Sequence, residues 1–136
     1  MRDGLTRNLR GSASGLSFSE FRQAFESSLV VLSGAAAGTR LALRQPRTVI
    51  GRGQDADVRI ADASLSRQHA VVEYVPAGGF RVRDLGSTNG VTVDGRRVDA
   101  VDLEPGDRFA LGEVEFQLLV EEREDEPEVY ELTLDS

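Results

Sequence analysis

Three short stretches of the 136-residue chain hold polar residues suited to acting together on one chemical group. Gly51-Arg52-Gly53 follows the apolar pair Val49-Ile50, so glycine permits a sharp turn and Arg52 projects from a strand end. A guanidinium fork offers parallel, charge-assisted hydrogen bonds to an oxyanion, phosphate above all. Ser64-Leu65-Ser66-Arg67-Gln68-His69 adds hydroxyls, a second guanidinium and the chain's one histidine, just before an apolar segment. Asp84-Leu85-Gly86-Ser87-Thr88-Asn89-Gly90 adds short side chains able to bond to the backbone of an extended peptide, and its Asn89-Gly90 pair tolerates positive φ. Each stretch also has a plainer reading: a solvated loop arginine, a packed structural histidine, a tight turn. Ser66, His69 and Asp84 have the residue types of a catalytic triad. No nucleophile elbow surrounds the serine, however, and no second base titrating near neutrality accompanies His69. The set suits holding an anion and not catalysis.

The elements that must position these stretches are strands. Leu41 and Leu43, Val58 and Ile60, Val71 to Val75, Phe80 and Val82, and Val114 to Val120 alternate with their neighbours at a period of two. Turn signals separate them. Pro76-Ala77-Gly78-Gly79 reads as a hairpin loop, Asp94-Gly95 as a type I′ hairpin between Val91–Val93 and Arg96–Val98, and Pro105-Gly106 as a type II turn. Short strands at regular spacing, with no alternation of strand and helix, predict an all-β sandwich. Ahead of them, Ser17 and Glu20 form a capping-box pattern. Phe18, Phe21 and Phe25 follow at helical spacing, which predicts a short amphipathic helix over residues 17–28. Its Phe stripe is expected to pack on the domain, the alternative being a partner-binding or self-association face.

Composition narrows the function classes. There is no cysteine, which excludes disulfides and thiolate metal sites, and one histidine excludes a multi-histidine site. No cofactor is called for. All sixteen basic residues are arginine. The net charge of −7 falls on residues 121–136, whereas residues 1–120 balance to zero. A neutral body lacks the basic footprint of a nucleic-acid binder. No apolar run approaches the length of a membrane span or a signal peptide, so a cytoplasmic protein is expected.

Taken together, Gly51-Arg52, Ser66-x-x-His69 and Asp84-Leu85-Gly86-Ser87-Thr88-Asn89-Gly90 resemble, in order and approximate spacing, the signature of the forkhead-associated (FHA) domain. The resemblance runs from about Leu29 to Val120. It implies a twisted β-sandwich of about eleven strands with its binding loops at one end, and a non-enzymatic phosphothreonine-peptide-binding adaptor acting downstream of a Ser/Thr protein kinase. It implies that Arg52 and Ser66 contact the phosphate, with Arg67 as a further contact. Thr88 and Asn89 would bond to the peptide backbone, and Gly51, His69 and Gly90 would be structural. In that reading His69 braces the loop bearing Ser66. A structural or assembly role without phosphate is the competing class; a phosphate-independent contact would survive Arg52→Ala.

The expected organisation is a flexible arm over 1–16, the helix over 17–28, the sandwich over 29–120 and an acidic tail over 121–136. Some FHA proteins bind their own phosphorylated flanking segment. Here the arm offers Thr6, with Leu9 three residues on, and the tail offers Thr133. Either is a candidate phosphosite for binding in cis or for self-association, and the acidic tail is a candidate mimic of the phosphate.

Overall fold

A computed structural model describes residues 15–76 and 79–123. The arm position Thr6, the tail position Thr133 and the loop residues Ala77 and Gly78 lie outside the described residues. The helix α1 spans Phe18–Ala24. Eleven strands follow: β1 (Phe25–Val31), β2 (Arg40–Ala42), β3 (Arg47–Gly51), β4 (Val58–Arg59), β5 (Ala70–Val75), β6 (Gly79–Asp84), β7 (Val91–Val93), β8 (Arg96–Val98), β9 (Ala100–Leu103), β10 (Arg108–Leu111) and β11 (Val114–Glu122). They form a six-stranded sheet, ordered β2-β1-β11-β10-β7-β8, and a five-stranded sheet, ordered β4-β3-β5-β6-β9.

The period-two alternation sends one face of each sheet into a shared core. Leu29 and Val31 of β1, Phe109 and Leu111 of β10, and Val114, Phe116 and Leu118 of β11 come from one sheet; Ile50, Ala70, Val72, Phe80, Val82 and Leu103 come from the other. Phe109 and Phe116 sit opposite each other in register and stack at 5.2 Å. The β7–β8 hairpin turns through Asp94 and Gly95, both at positive φ (52° and 79°), as a type I′ turn requires. On the outer face of the five-stranded sheet, Glu73 lies 3.3 Å from Arg47 Nε and 2.9 Å from Arg83 Nη2, while Arg81 pairs with Asp102 at 2.7 Å.

Antiparallel register fixes which loops meet. Ile50 pairs with Ala70, and Ala70 with Asp84, so the end of β3, the start of β5 and the end of β6 lie together at one end of the sandwich. The three polar stretches leave from that end. At the opposite end, α1 closes the core. Ser17 caps it reciprocally with Glu20, the Ser17 Oγ accepting from the Glu20 N–H at 3.1 Å and Glu20 Oε1 accepting from the Ser17 N–H at 2.9 Å. Phe21, 1% exposed, stacks on Phe25 at 4.9 Å and meets Phe80 edge-on at 5.9 Å. Phe18 tilts against Tyr74 at 5.4 Å. The Phe stripe therefore packs on its own domain.

The boundaries differ from the sequence reading at three places. The helix ends at Ala24 and not near residue 28, because Phe25 to Val31 pair with β11 from Phe25↔Glu122 to Val31↔Phe116. The sandwich accordingly begins at Phe25, not at Leu29. Glu121 and Glu122 belong to β11 and not to the tail, and Glu121 Oε1 accepts from Arg40 Nη2 at 2.9 Å. Gly15 and Leu16, assigned to the flexible arm, are tied down. The Gly15 N–H donates to the Pro76 carbonyl at 2.6 Å and the Tyr74 hydroxyl to the Leu16 carbonyl at 2.8 Å.

Candidate functional site

The β3–β4 and β4–β5 loops are joined backbone to backbone. The Arg52 N–H donates to the Ser66 carbonyl at 2.9 Å and the Gly53 N–H to the Arg67 carbonyl at 3.0 Å. This approach is close enough to require glycine. A Cβ built on Gly51 would lie 2.0 Å from the Arg67 carbonyl oxygen, well inside any tolerable contact. Arg52, itself exposed, anchors its guanidinium by donating from Nε to the Leu65 carbonyl at 2.9 Å. Among the described residues no carboxylate pairs with Arg52 or Arg67. The fork of Arg52 is thus aimed from a fixed stem, beside the half-buried Ser66 and the exposed Arg67.

His69 is fully buried at 0% exposure and links two loops. Its Nδ1 accepts from the Ser66 N–H at 3.0 Å and its Nε2 lies 2.8 Å from the Gly90 carbonyl, to which it donates. This pairing specifies the Nε2–H tautomer. Asp84 holds the next loop: its Oδ1 accepts from the Ser87 hydroxyl at 2.5 Å, and Ser87 Oγ in turn accepts from the Gly90 N–H at 2.8 Å. Both histidine nitrogens are thereby occupied by backbone groups and Asp84 by Ser87, so Ser66, His69 and Asp84 do not form a triad.

The Ser66 side chain faces the loop after β6. Its Oγ accepts from the Thr88 N–H at 3.1 Å. Asn89 reaches the other way, its Nδ2 donating to the Ser64 carbonyl at 2.8 Å. Ser64 also accepts from the Glu113 N–H through its hydroxyl at 2.9 Å and donates that hydroxyl to Asp62 at 2.6 Å. The Ser64 hydroxyl and then the Ser64 N–H hold the Asp62 carboxyl below its ordinary value. Arg52, Ser66, Arg67, Thr88 and Asn89 are therefore brought to one end of the sandwich, with Gly51, His69 and Gly90 beneath or between them.

Sequence reasoning passed over two participants. One is Ser64 with Asp62; an Asp two residues before a Ser is a local turn pattern that could have flagged it. The other is Arg97 of β8. Its Nη2 donates to the Ser87 carbonyl at 3.1 Å and its Nη1 points at the Thr88 carbonyl at 3.4 Å. Gly90, at φ 81°, makes room for it: a Cβ there would lie 2.3 Å from Arg97 Nε. Only the β7–β8 register, Thr92↔Arg97, brings this arginine to the loop.

Two guanidiniums and a hydroxyl on a braced backbone, next to exposed amide and hydroxyl groups, are chemically suited to an anion. Among the described residues no cluster of His, Asp or Glu is arranged to hold a metal ion.

The sequence matches the family model of the FHA domain over residues 48–112. It is 39% identical over 99 residues to the glycogen accumulation regulator GarA of Mycolicibacterium smegmatis, a match covering 72% of this chain and 61% of that protein. It is 35% identical over 102 residues to the oxoglutarate dehydrogenase inhibitor of Corynebacterium efficiens, covering 75% of this chain and 71% of that protein. The fold is similar to an FHA domain solved in a study of phosphothreonine-dependent FHA domain interactions, with a TM-score of 0.62 and 34% identity. That match covers 69% of this chain and 95% of the other.

Proposed function

Because this chain belongs to the FHA domain family, we propose that it is a phosphothreonine-peptide-binding adaptor acting downstream of a Ser/Thr protein kinase. In this reading Arg52, Ser66 and Arg67 take the phosphate, and Thr88 and Asn89 bond to the peptide backbone beside it. One observation carries it: the Arg52 guanidinium, without a carboxylate partner among the described residues, is anchored through Nε to the Leu65 carbonyl next to the Ser66 hydroxyl. A phosphate near −2 charge, with three strong acceptors, matches such a donor set. The partners are a phosphothreonine protein and its kinase, with no nucleic acid, membrane or cofactor involved. In this reading the protein works in the cytoplasm, the compartment that supplies ATP for the phosphorylation it reads. Among the described residues no helix is long and apolar enough to cross a membrane.

The test is binding of a degenerate phosphothreonine peptide library, with phosphoserine and unphosphorylated controls, to the wild type and to Arg52→Ala. Binding selective for phosphothreonine and lost in Arg52→Ala supports the reading. Phosphate-independent binding, equal in both proteins, would replace it with an assembly role.

Self-recognition is a second reading, and the placement of the described ends permits it. Gly15 and Arg123 both lie at the end opposite the loops, tied to Pro76 and to Ala24. The six residues of β5 that separate the two ends span about 20 Å. Thr6, nine residues before Gly15, has a maximum reach of about 32 Å, and Thr133, ten residues after Arg123, about 36 Å. A phosphate on either threonine is within contour reach of its own Arg52. Phosphorylated wild type that still captures the library peptide as tightly as a Thr6→Ala, Thr133→Ala protein would end this reading.

A further inference from the structure

We propose that Arg97 is a positioning residue for phosphate capture, acting through the Ser87–Thr88 peptide unit on the Ser66 hydroxyl. The inference rests on the reading of Ser66 as a phosphate contact. The carbonyl of Ser87 and the N–H of Thr88 belong to one planar trans peptide unit, so they point in opposite directions. Arg97 Nη2 donates to that carbonyl at 3.1 Å, and Ser66 Oγ accepts from that N–H at 3.1 Å. The same rigid plate is gripped from both sides, by a guanidinium on β8 and a hydroxyl in the β4–β5 loop. The Arg97 Nη1 contact with the next carbonyl, that of Thr88, fixes the plate against rotation. Gly90 gives the stem and guanidinium a surface to lie on, since a Cβ there would come within 2.8 Å of Cδ, Cζ and Nε alike.

The consequence for Ser66 follows from its donor inventory. A serine hydroxyl has one proton and two lone pairs. With one lone pair committed to the Thr88 N–H, and the Ser66 backbone held by His69 and Arg52, the proton is directed away from the plate and can be donated to a phosphate oxygen. The positive charge on Arg97 polarises the peptide unit, which strengthens the Thr88 N–H as a donor and, through it, the hydroxyl. Among the described residues Arg97 is in no ion pair, so its charge is available for this role. Arg97 shapes the site without being in the phosphate clamp as assigned.

The experiment is a double-mutant cycle read as phosphothreonine-peptide affinity, using wild type, Arg97→Ala, Ser66→Ala and the double variant, with Arg52→Ala alongside. Thermal midpoints confirm that each is folded. Arg97→Ala is expected to weaken binding about tenfold. The double variant is expected to match Ser66→Ala within about twofold, because the two act in series. Arg97→Lys keeps the charge but not the fork, and is expected to lie between wild type and Arg97→Ala. In the unliganded proteins, Arg97→Ala is expected to shift the Thr88 amide resonance, a change that generic loss of stability would not single out. Wild-type affinity in Arg97→Ala, or losses that multiply in the double variant, overturns the assignment while Arg52→Ala still loses the peptide. If Arg52→Ala binds like wild type, the phosphate reading itself fails, and this inference with it.

Discussion

At Gly51 the absence of a side chain lets two loops touch, and at His69 one ring joins two more. Gly51→Ala would drive a methyl into the Arg67 carbonyl 2.0 Å away. The expected outcome is a joint fall in thermal midpoint and phosphopeptide affinity, with a stability cost of about 1–3 kcal/mol. Replacing His69 by Phe keeps the ring but leaves the Ser66 N–H without its acceptor, while the Gly90 carbonyl loses one of two donors and keeps the Gly112 N–H at 3.2 Å. Denaturant titration should show a loss of about 1–3 kcal/mol, the cost of leaving one such donor, the Ser66 N–H, without its acceptor. The sequence made these residues legible because their types are unusual for loops: an arginine between glycines, a single histidine, an Asn-Gly. It did not make their bonds legible. That His69 spends both nitrogens on backbone, or that Arg97 lies over Gly90, depends on strand register between segments far apart in the chain.

Among the elements, the strands were readable wherever apolar residues alternated with polar ones, as in β5, β6 and β11. β1 was harder. Its inward face carries Phe25, Ser27, Leu29 and Val31, and the serine breaks the pattern. Ser27 is 4% exposed and its hydroxyl has no partner among the described residues. Phe25 also falls at helical spacing from Phe18 and Phe21, so spacing alone extends the helix through it. The ambiguity is physical: Phe25 joins the same aromatic cluster from the strand, stacked on Phe21. Phe21→Ala should therefore loosen helix and sandwich together. Its removal from the Phe25–Tyr74–Phe80 cluster is expected to cost about 3–5 kcal/mol in chemical denaturation. Phosphopeptide affinity measured well below the melting point should be unchanged, because α1 closes the end opposite the loops.

For the whole molecule, the outer face of the five-stranded sheet couples stability to pH. The hydrogen bond from Arg83, with the charges of Arg83 and Arg47, holds the Glu73 carboxyl below its ordinary value, against the opposing effect of burial. A carboxyl with a lowered folded pKa adds stability above its unfolded value of 4.5 and loses it as pH falls through the folded value. Urea midpoints followed from about pH 6 to about pH 3 should thus fall more steeply in the wild type than in Glu73→Gln. Equal slopes would show that the pair contributes nothing to folding, the usual result for exposed ion pairs.

The strand order has one more consequence. The four edge strands, β2, β8, β4 and β9, are two to four residues long, while the longest, β11 and β1, lie inside their sheet. Short margins give a foreign backbone little to hydrogen-bond along, which blunts both strand-by-strand aggregation and capture of a peptide as an added strand. A sandwich closed off in this way leaves recognition to its loops. Their sequence can drift toward new ligands without disturbing the sheets that hold them in place.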